Sequence, residues 1–287
     1  MIYLLLSITA STLIFIIFKL FDKYKVDTLQ AIVVNYIVAC LFGVSQYDSK
    51  IDLIEISTSK WFYGAIGLGF LFIAIFNVMA LTAQRNGLSV ASVASKMSVI
   101  IPITFGIFAY NEGVGIQKIT GIIIALIAVY LTSLRTKTTT NITKGIWLPI
   151  ILFFGSGVID TSIKFIETTY LSNNGIPIFS ATIFCFAFII GSLLLIYKAS
   201  TNKINFKPNV LVGGLCLGLV NYFSIYYLLK ALNHDSLESS TLFTVNNVAI
   251  VMVSTLLGLI VFKEHISRIN WIGISLAVIS IVLVTLA

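Results

Sequence analysis

The feature that most constrains this sequence is a series of ten apolar stretches, each long enough to cross a lipid bilayer. A membrane-spanning helix needs about 20 apolar residues, because it rises about 1.5 Å per residue through a hydrocarbon core about 30 Å thick. We therefore predict an all-α membrane protein with ten transmembrane helices. The stretches lie at 2–20, 29–46, 61–82, 88–110, 115–134, 145–166, 175–197, 208–231, 237–262 and 267–286.

The composition argues against a soluble protein. Of the 287 residues, 58% are hydrophobic and 10% are charged, whereas soluble domains have about 45–50% apolar and about 25% charged residues. The net charge of +7 would suggest nucleic acid binding in a soluble protein, but here the basic residues lie in short connections, where they set membrane orientation. We expect a multi-pass protein of the cell (plasma or inner) membrane, with the lipid bilayer as a partner and no nucleic acid.

The two halves of the chain share an internal repeat. Ser11 stands eight residues before Lys19, and Ser156 stands eight residues before Lys164. We predict a first five-helix repeat at 1–134, a linker at 135–144 and a second five-helix repeat at 145–287, together forming one integral membrane unit. Further pairs follow in the same order, with an offset that grows from 145 to 149 to 152: Gly64 with Gly213, Gly69 with Gly218, Glu112 with Glu264, and Gly121 with Gly273.

An odd number of crossings in each repeat requires the second copy to enter the membrane inverted. The basic residues of the connections agree with this, since eleven follow odd-numbered helices and four follow even-numbered ones. The positive-inside rule then places both termini outside, with 135–144 and 199–207 in the cytoplasm. The eleven are Lys23, Lys25, Arg85, Arg135, Lys137, Lys144, Lys198, Lys203, Lys207, Lys263 and Arg268, and the four are Lys50, Lys60, Lys118 and Lys230.

Paired motifs in the two repeats resemble those of a known transporter family. Each repeat has a lysine late in its first helix and an E-x8-G pattern between its fourth and fifth helices, within 108–121 (FAYNEGVGIQKITG) and 260–273 (IVFKEHISRINWIG). With the ten helices, these motifs are similar to the drug/metabolite transporter superfamily of EamA type. The resemblance implies secondary transport or export of amino acids, metabolites or drugs through a central cavity. The second repeat departs from the pattern, because Pro102 has no proline partner in helix 9.

Lys96 is a strong candidate for a functional residue, because it lies eight residues into the fourth predicted helix. A cation near the bilayer centre costs about 2.5–3.5 kcal/mol on insertion scales. Eight residues span about 12 Å, which is too far for easy snorkelling to the helix end. Ser89 and Ser92 share its helix face. Lys96 therefore either contacts a substrate or coupling ion or forms a structural ion pair with a distant acid.

The sixth predicted helix carries a polar stripe of Ser156, Asp160, Lys164 and Glu167. Asp160 and Lys164 are one turn apart and can pair locally, which would lower the cost of both charges. The stripe is therefore either a self-neutralising structural element or part of a substrate or ion site. The equivalent face of the first helix has Lys19 but no acid that matches Asp160. Such a loss of symmetry is what substrate or ion specificity requires, and sequence drift would also produce it.

Amides and tyrosines complete the predicted substrate-binding set. Single polar groups in membrane helices often join neighbouring helices, but these stripes fall on the pseudo-symmetric helices 1 with 6, 3 with 8, and 4 with 9. Helices 5 and 10 carry small residues four apart instead, so we predict that these two are scaffold and the other six line a cavity. The predicted set is Lys96, Asn77, Asn221, Tyr222, Tyr226, Asn246, Asn247, Lys19, Lys164 and Asp160.

Glu112 and Glu264 end apolar runs and carry the repeated E-x8-G pattern. A carboxylate at such a position stabilises the N-terminus of a helix, because the helix dipole is positive there. We predict that each glutamate caps the helix that follows it in the chain.

The sequence contains no G-x-S-x-G, H-E-x-x-H or P-loop motif and no Cys/His cluster, so we predict no enzyme activity and no catalytic, cofactor or metal site. The leading hypothesis is a secondary transporter that exports small amino-acid-like or other polar or amphipathic solutes, with the proton as a candidate coupling ion. The alternatives are a polytopic membrane enzyme or a non-transporting membrane subunit. A central water-filled cavity favours transport, whereas a lipid-facing groove with clustered acids favours an enzyme.

Overall fold

The fold is all-helical. A computed structural model describes residues 2–47, 53–110, 115–134, 146–171, 175–201, 207–232 and 239–286, which form helices and no strand. The helices are α1 Ile2–Lys23, α2 Thr28–Ser45, α3 Leu53–Thr58, α4 Phe62–Arg85, α5 Leu88–Met97, α6 Ile100–Tyr110, α7 Ile116–Ser133, α8 Trp147–Tyr170, α9 Ile176–Thr201, α10 Pro208–Leu232, α11 Ser239–Ile260 and α12 Arg268–Thr285.

Seven segments of the described chain are long and apolar enough to cross a membrane, and the chain is an all-α membrane protein. Six of them lie in α1, α2, α4, α8, α9 and α10, and the seventh runs from Leu88 to Gly106 across α5 and α6. Three shorter apolar helices lie at Ile116–Thr132, Val245–Ile260 and Arg268–Val284. Each of the ten predicted apolar stretches overlaps at least one of these helices, and the short α3 lies in the connection before α4.

The prediction of one continuous helix over 88–110 is wrong, because the chain breaks between α5 and α6. Pro102 has no backbone N–H, so it cannot donate to the carbonyl of Ser98 four residues earlier, and its ring crowds that carbonyl. The Ser98 carbonyl instead accepts from Ile101 N at 2.9 Å. The break leaves Lys96 in the last turn of α5 rather than inside a long helix.

Local sequence accounts for several helix starts. Three of the four prolines lie in the first turn of a helix, where a missing N–H costs nothing: Pro149, Pro177 and Pro208. Asp27 caps α2 by accepting a hydrogen bond from Gln30 N. These local signals divide the apolar chain into separate helices.

Two hydrophobic clusters organise the packing. The larger cluster joins α1, α2, α4, α9 and α10, with the fully buried Tyr36 of α2 donating to the carbonyl of Phe72 at 2.8 Å. The smaller cluster joins α5, α7, α11 and α12. Helices α5, α8 and α11 contribute to both clusters, through Ala94, Leu152 and Ile250 in the larger cluster and Met97, Phe153 and Val251 in the smaller one. Residues on α5 and α8 that face each other therefore lie between the two clusters.

Helices α7 and α12 pack closely through glycines. A Cβ atom on Gly121 would collide with Val284, and a Cβ atom on Gly273 would lie 2.8 Å from the Thr132 side chain. The start of each helix thus meets the end of the other, so the two helices run antiparallel. The alanines one turn after the glycines, Ala125 and Ala277, are fully buried. The close packing predicted for these small residues is confirmed.

Candidate functional site

The structure brings Lys96 and Asp160 together. Lys96 lies on α5 and Asp160 lies on α8, and the charge of each acts on the other, although their charged groups are not in ion-pair contact. The Ser98 hydroxyl stands 3.5 Å from Asp160 Oδ2 and donates to the Ser95 carbonyl at 2.6 Å. Asp160 is therefore an acid from a distant part of the chain whose charge acts on Lys96.

The end of α5 also offsets the charge of Lys96. The last carbonyls of a helix have no partner within the helix, and they carry the negative end of the helix dipole. A cation in the last turn gains about 0.3–1 kcal/mol from this arrangement at an exposed site. The break before Pro102 therefore creates a favourable position for a lysine inside the membrane.

Asp160 lies away from the apolar outer face of α8. That face is marked by the exposed Ile151, Phe154 and Val158. Successive residues of a helix turn by about 100°, so Asp160 lies about 200° around the helix from Val158. Asp160 and Lys164 are exposed on this other, polar face of α8.

The predicted local pairing of Asp160 with Lys164 is not observed. Among the described residues, the ammonium group that acts on the Asp160 carboxylate is that of Lys96. The i, i+4 spacing permits a pair along α8, but α5 brings a second cation from across the bundle. Ser98 is not among the residues predicted from the sequence. Its position, two residues after Lys96 and four before Pro102, could have indicated it. The side chain of Glu167, the last member of the stripe, lies outside the described residues.

Lys19 belongs to a different cluster, at the end of the molecule where α4 stops and α5 starts. Its ammonium is 3.3 Å from Glu264 Oε1, and it donates to the carbonyls of Ala83 and Gln84, each at 3.3 Å. Both oxygens of Glu264 lie 3.0 Å from Leu88 N, at the first residue of α5. The structure therefore uses Lys19 to join helix ends in this Glu264 cluster.

The prediction that Glu264 caps the following helix is wrong, because it caps α5. After α11 the chain turns back, with a left-handed Lys263 (φ 51°) and a bond from Glu264 N to Gly258 O at 2.9 Å. This turn holds the carboxylate beside α11, away from the start of α12. Ser267 caps α12 instead, in a capping box with Asn270. Glu112 lies outside the described residues.

The predicted asparagines have varied surroundings. Asn77 donates to the Ile73 carbonyl of its own helix at 2.7 Å, and Asn221 donates to Asn35 Oδ1 across α2 and α10 at 3.2 Å. Asn246 is 2% exposed, and its Oδ1 has no hydrogen-bond partner within the described part of the chain. Asn247 is also buried. Asn221 thus joins two helices, whereas Asn246 keeps a buried polar atom free for another group.

Tyr222 and Tyr226 are half-buried on α10, and Tyr222 stacks on Phe42 of α2 with centroids 4.8 Å apart. Each stands two turns after an exposed leucine, Leu215 and Leu219 respectively, and so shares its helix face. The two rings stack with centroids 5.9 Å apart, and Lys230 Nζ lies 4.9 Å from the Tyr226 centroid. A hydrogen bond with Tyr226 raises the pKa of Lys230. This arrangement is typical of aromatic side chains at the membrane interface.

Two cavities lie toward opposite ends of α4. The first, of about 300 Å³, is lined by Lys19, Ser89, Glu264 and His265, and we call it the Glu264 cavity. Lys96 lies seven residues after Ser89 on α5, which is about 10 Å along the helix.

The second cavity, of about 510 Å³, lies between α4, α6 and α8 and is lined by Leu68, Phe105, Thr161 and Ser162. Thr161 directly follows Asp160 in the chain. One cavity thus reaches the helix that carries Lys96, and the other reaches the helix that carries Asp160.

Comparisons with known proteins support the fold. No protein-family model matches the chain. An uncharacterized protein of Haemophilus influenzae (strain ATCC 51907 / DSM 11121 / KW20 / Rd) is 27% identical over 281 residues, which covers 94% of this chain and 93% of that protein. A solved crystal structure, described only as that of a protein, matches with a TM-score of 0.57 and 12% identity over 98% of this chain and 97% of its own. The chain therefore shares its overall fold with a known structure.

Proposed function

We propose that the chain is a secondary transporter of EamA type, an exporter of small amino-acid-like or other polar and amphipathic solutes that works by alternating access through a central cavity. The observation that carries the proposal is the group of Lys96, Ser98 and Asp160 beside the break between α5 and α6, where Ser98 Oγ lies 3.5 Å from Asp160 Oδ2 and the two charges act on each other. Ionisable residues inside membrane helices mark solute and ion pathways. Discontinuous helices near the bilayer midplane form the binding sites of many secondary transporters.

The proposed architecture has ten crossings in two five-helix repeats. It counts α5 and α6 as one crossing and takes the shorter apolar helices α7, α11 and α12 as spanning. Contacts across the two halves support the repeat. A Cβ atom on Gly64 would lie 2.6 Å from Ile166, and one on Gly213 would lie 2.8 Å from Phe21. These contacts exchange under the sequence offsets of the repeat, because 64 and 213 differ by 149 and 21 and 166 differ by 145.

The packing of α7 against α12 supports an inverted relation between the repeats. Gly121 approaches Val284, and Gly273 approaches Thr132, so each pair is the image of the other under an offset of 152. The equivalent helices run antiparallel, as they do when the twofold axis lies in the membrane plane. Inverted repeats supply two access states from one architecture, since one half rocks against the other around a fixed site.

The chemistry of the pair indicates the class of solute. Lys96 offers a donor for a carboxylate, and Asp160 offers an acceptor for an ammonium group, so a zwitterion can replace their mutual attraction without leaving either charge alone. The site stays neutral overall, which lowers the cost of holding charges in a low-dielectric interior. Asp160 is also a carboxylate that can take up a proton, which makes the proton a candidate coupling ion.

The charge distribution indicates the orientation. Connections that follow the odd-numbered crossings hold most of the basic residues, so we place them in the cytoplasm and both termini outside. The Glu264 cavity then opens toward the cytoplasm, and the cavity beside α8 opens outward.

The test is solute flux in proteoliposomes. A thermal-shift screen of purified protein against metabolites first selects a solute, and counterflow of that solute is then measured for the wild type, Lys96→Met and Asp160→Asn. We expect both variants to lose most of the flux. Lys25→Met is the matched control, because Lys25 lies in an exposed surface pair with Asp22. Unchanged flux in both site variants would refute the proposed site.

A further inference from the structure

The Glu264 carboxylate occupies an arrangement of donors that comes entirely from the N-terminal half of the chain. Lys19 Nζ lies 3.3 Å from Oε1, and Leu88 N lies 3.0 Å from both oxygens. Ammonium groups and helix N-termini are the groups that bind carboxylates most strongly in proteins. We call Lys19, Gly87, Leu88 and Gly258, which surround this carboxylate, the Glu264 cradle.

Two glycines give the cradle its shape. Gly87 has φ 106°, which disfavours a side chain, and a Cβ atom there would lie 2.7 Å from Glu264 Oε2. A Cβ atom on Gly258 would lie 2.6 Å from the same oxygen. Any larger residue at either position would therefore displace the carboxylate, so the space fits a carboxylate group closely.

Lys19 is held in place independently of Glu264. Its ammonium also donates to the carbonyls of Ala83 and Gln84, near the end of α4. These carbonyls belong to the same half of the chain as Lys19. The cation therefore stays at the cradle when the Glu264 side chain leaves it.

A further polar group lies beside the cradle without a partner. Ser89 is 4% exposed, and its hydroxyl has no hydrogen-bond partner within the described residues. It lines the Glu264 cavity together with Lys19 and Glu264, and its Oγ would be 3.5 Å from a Cβ atom on Gly258. A buried donor of this kind costs free energy unless another group binds it. The cavity therefore offers a second anchoring point for an anion that enters the cradle.

We propose that the Glu264 cradle is a binding site for small carboxylates, that Glu264 is its resident occupant, and that a free carboxylate entering from the Glu264 cavity competes with Glu264. Lys19 and Leu88 belong to the N-terminal half and Glu264 to the C-terminal half. Displacement of Glu264 therefore removes this contact between the halves, while Asn270 keeps its bonds to the carbonyls of Leu131, Thr132 and Leu134. The consequence for solute passage rests on the proposed function, whereas the site itself does not.

Chemical rescue tests the site without any measurement of transport. Glu264→Ala empties the cradle, and we expect it to lower the melting temperature of the purified protein by several degrees. Sodium acetate should restore part of the loss in a saturable manner. Acetamide, which has the shape of acetate without its charge, and sodium chloride at equal ionic strength should not. In Lys19→Met/Glu264→Ala the acetate effect should disappear.

The proposed carboxylate site would be refuted if acetate, acetamide and chloride stabilised the protein equally. It would also be refuted if a saturable acetate effect remained after the Lys19→Met change. If Glu264→Ala does not fold, competition between acetate and Glu264 is measured in a chain that keeps Glu264. This chain carries Ser89→Cys, and its three native cysteines are replaced by alanine. Acetate should then increase the labelling rate of the cysteine by a thiol reagent several-fold over chloride. A labelling rate that acetate leaves unchanged would also overturn the proposal. Neither result depends on whether the protein transports a solute.

Discussion

At the scale of the residue, the charged groups inside this protein are placed where other groups offset their cost. Lys96 has the end of α5 and the Asp160 carboxylate, and Lys19 has the Glu264 carboxylate and two backbone carbonyls. An isolated charge in a low-dielectric interior costs far more free energy than a paired one. The two lysines therefore solve the same physical problem in different ways, one between two helices and one at helix ends.

Removal of one member of the Lys96–Asp160 pair should destabilise the protein by leaving the other charge alone. Breaking a fully buried ion pair lowers the free energy of unfolding by about 3–5 kcal/mol. We expect a smaller loss for Lys96→Met, because Asp160 retains access to solvent. Lys96→Met/Asp160→Asn should recover most of this loss, since neither charge remains. Chemical denaturation in detergent measures the three variants. If the loss of unfolding free energy in the double variant equalled the sum of the losses in the single variants, the two charges would not interact.

The backbone of Gly87 gives a second prediction at this scale. Gly87→Ala should lower stability by about 1–3 kcal/mol for the unfavourable φ, and further because the new methyl group would displace the Glu264 carboxylate. Gly67→Ala is the control, since no atom lies within 4 Å of a Cβ atom there. That change should be neutral or stabilise α4 by up to about 1 kcal/mol. Equal melting temperatures for the two variants would contradict this account.

At the scale of the element, the break between α5 and α6 positions the site. The Ser95 carbonyl accepts from the Ser98 hydroxyl and the Ser98 carbonyl accepts from Ile101 N, so α5 ends in local hydrogen bonds directly after Lys96. The apolar pattern of residues 88–110 runs through the break without interruption, because hydrophobicity does not report a missing N–H. Only the proline marks the interruption.

Pro102→Ala should therefore join α5 and α6 into one helix by restoring the donor to the Ser98 carbonyl. We expect thermal stability to be maintained or increased, because a proline inside a helix costs about 3 kcal/mol relative to alanine. Solute flux should fall, because a continuous helix would shift Lys96 and Ser98 relative to Asp160. Pro208→Ala is the matched control, since a proline at the first position of α10 removes no helical bond. Full flux in Pro102→Ala would show that transport does not need the break between α5 and α6.

At the scale of the whole molecule, the charged pair lies where two hydrophobic clusters meet. The larger cluster is built on α2 and its neighbours, and the smaller one is built on the contact between α7 and α12. Helices α5, α8 and α11 have residues in both clusters and link them around Lys96 and Asp160. A relative movement of the two clusters would change the access to Lys96 and Asp160 from either end, as alternating access requires.

The orientation of the molecule can be tested by cysteine labelling in cells. In a background without the three native cysteines, we expect Ser200→Cys to be protected from a membrane-impermeant reagent in intact cells and Gly115→Cys to react. Both positions are exposed, and they lie at connections that the proposed orientation places on opposite sides. Permeabilised cells provide the control for reactivity. The reverse labelling pattern would invert the proposed topology and leave the fold unchanged.

The sequence by itself determined the helical membrane architecture and the residues that carry the main charges. Apolar stretches of about 20 residues indicate membrane helices because each backbone polar group must find its partner within the segment. Lys96 and Asp160 stand out in the sequence because a charge inside a membrane segment costs free energy unless another group offsets it. The small residues of α7 and α12 indicated a close contact for an equally local reason, the absence of a bulky side chain.

The tertiary structure alone decided which of these groups meet. Asp160 is one turn from Lys164 in sequence, but the lysine whose charge acts on it is Lys96 of α5, and Glu264 precedes α12 but caps α5. Asn221 bonds to Asn35 of α2, whereas the next residue, Tyr222, stacks on Phe42 of the same helix, since rotation by one residue moves a side chain about 100° around the helix. Spacing along one helix defines its faces. Which neighbour each face meets depends on the packing of segments far apart in the chain, and hydropathy carries no record of that.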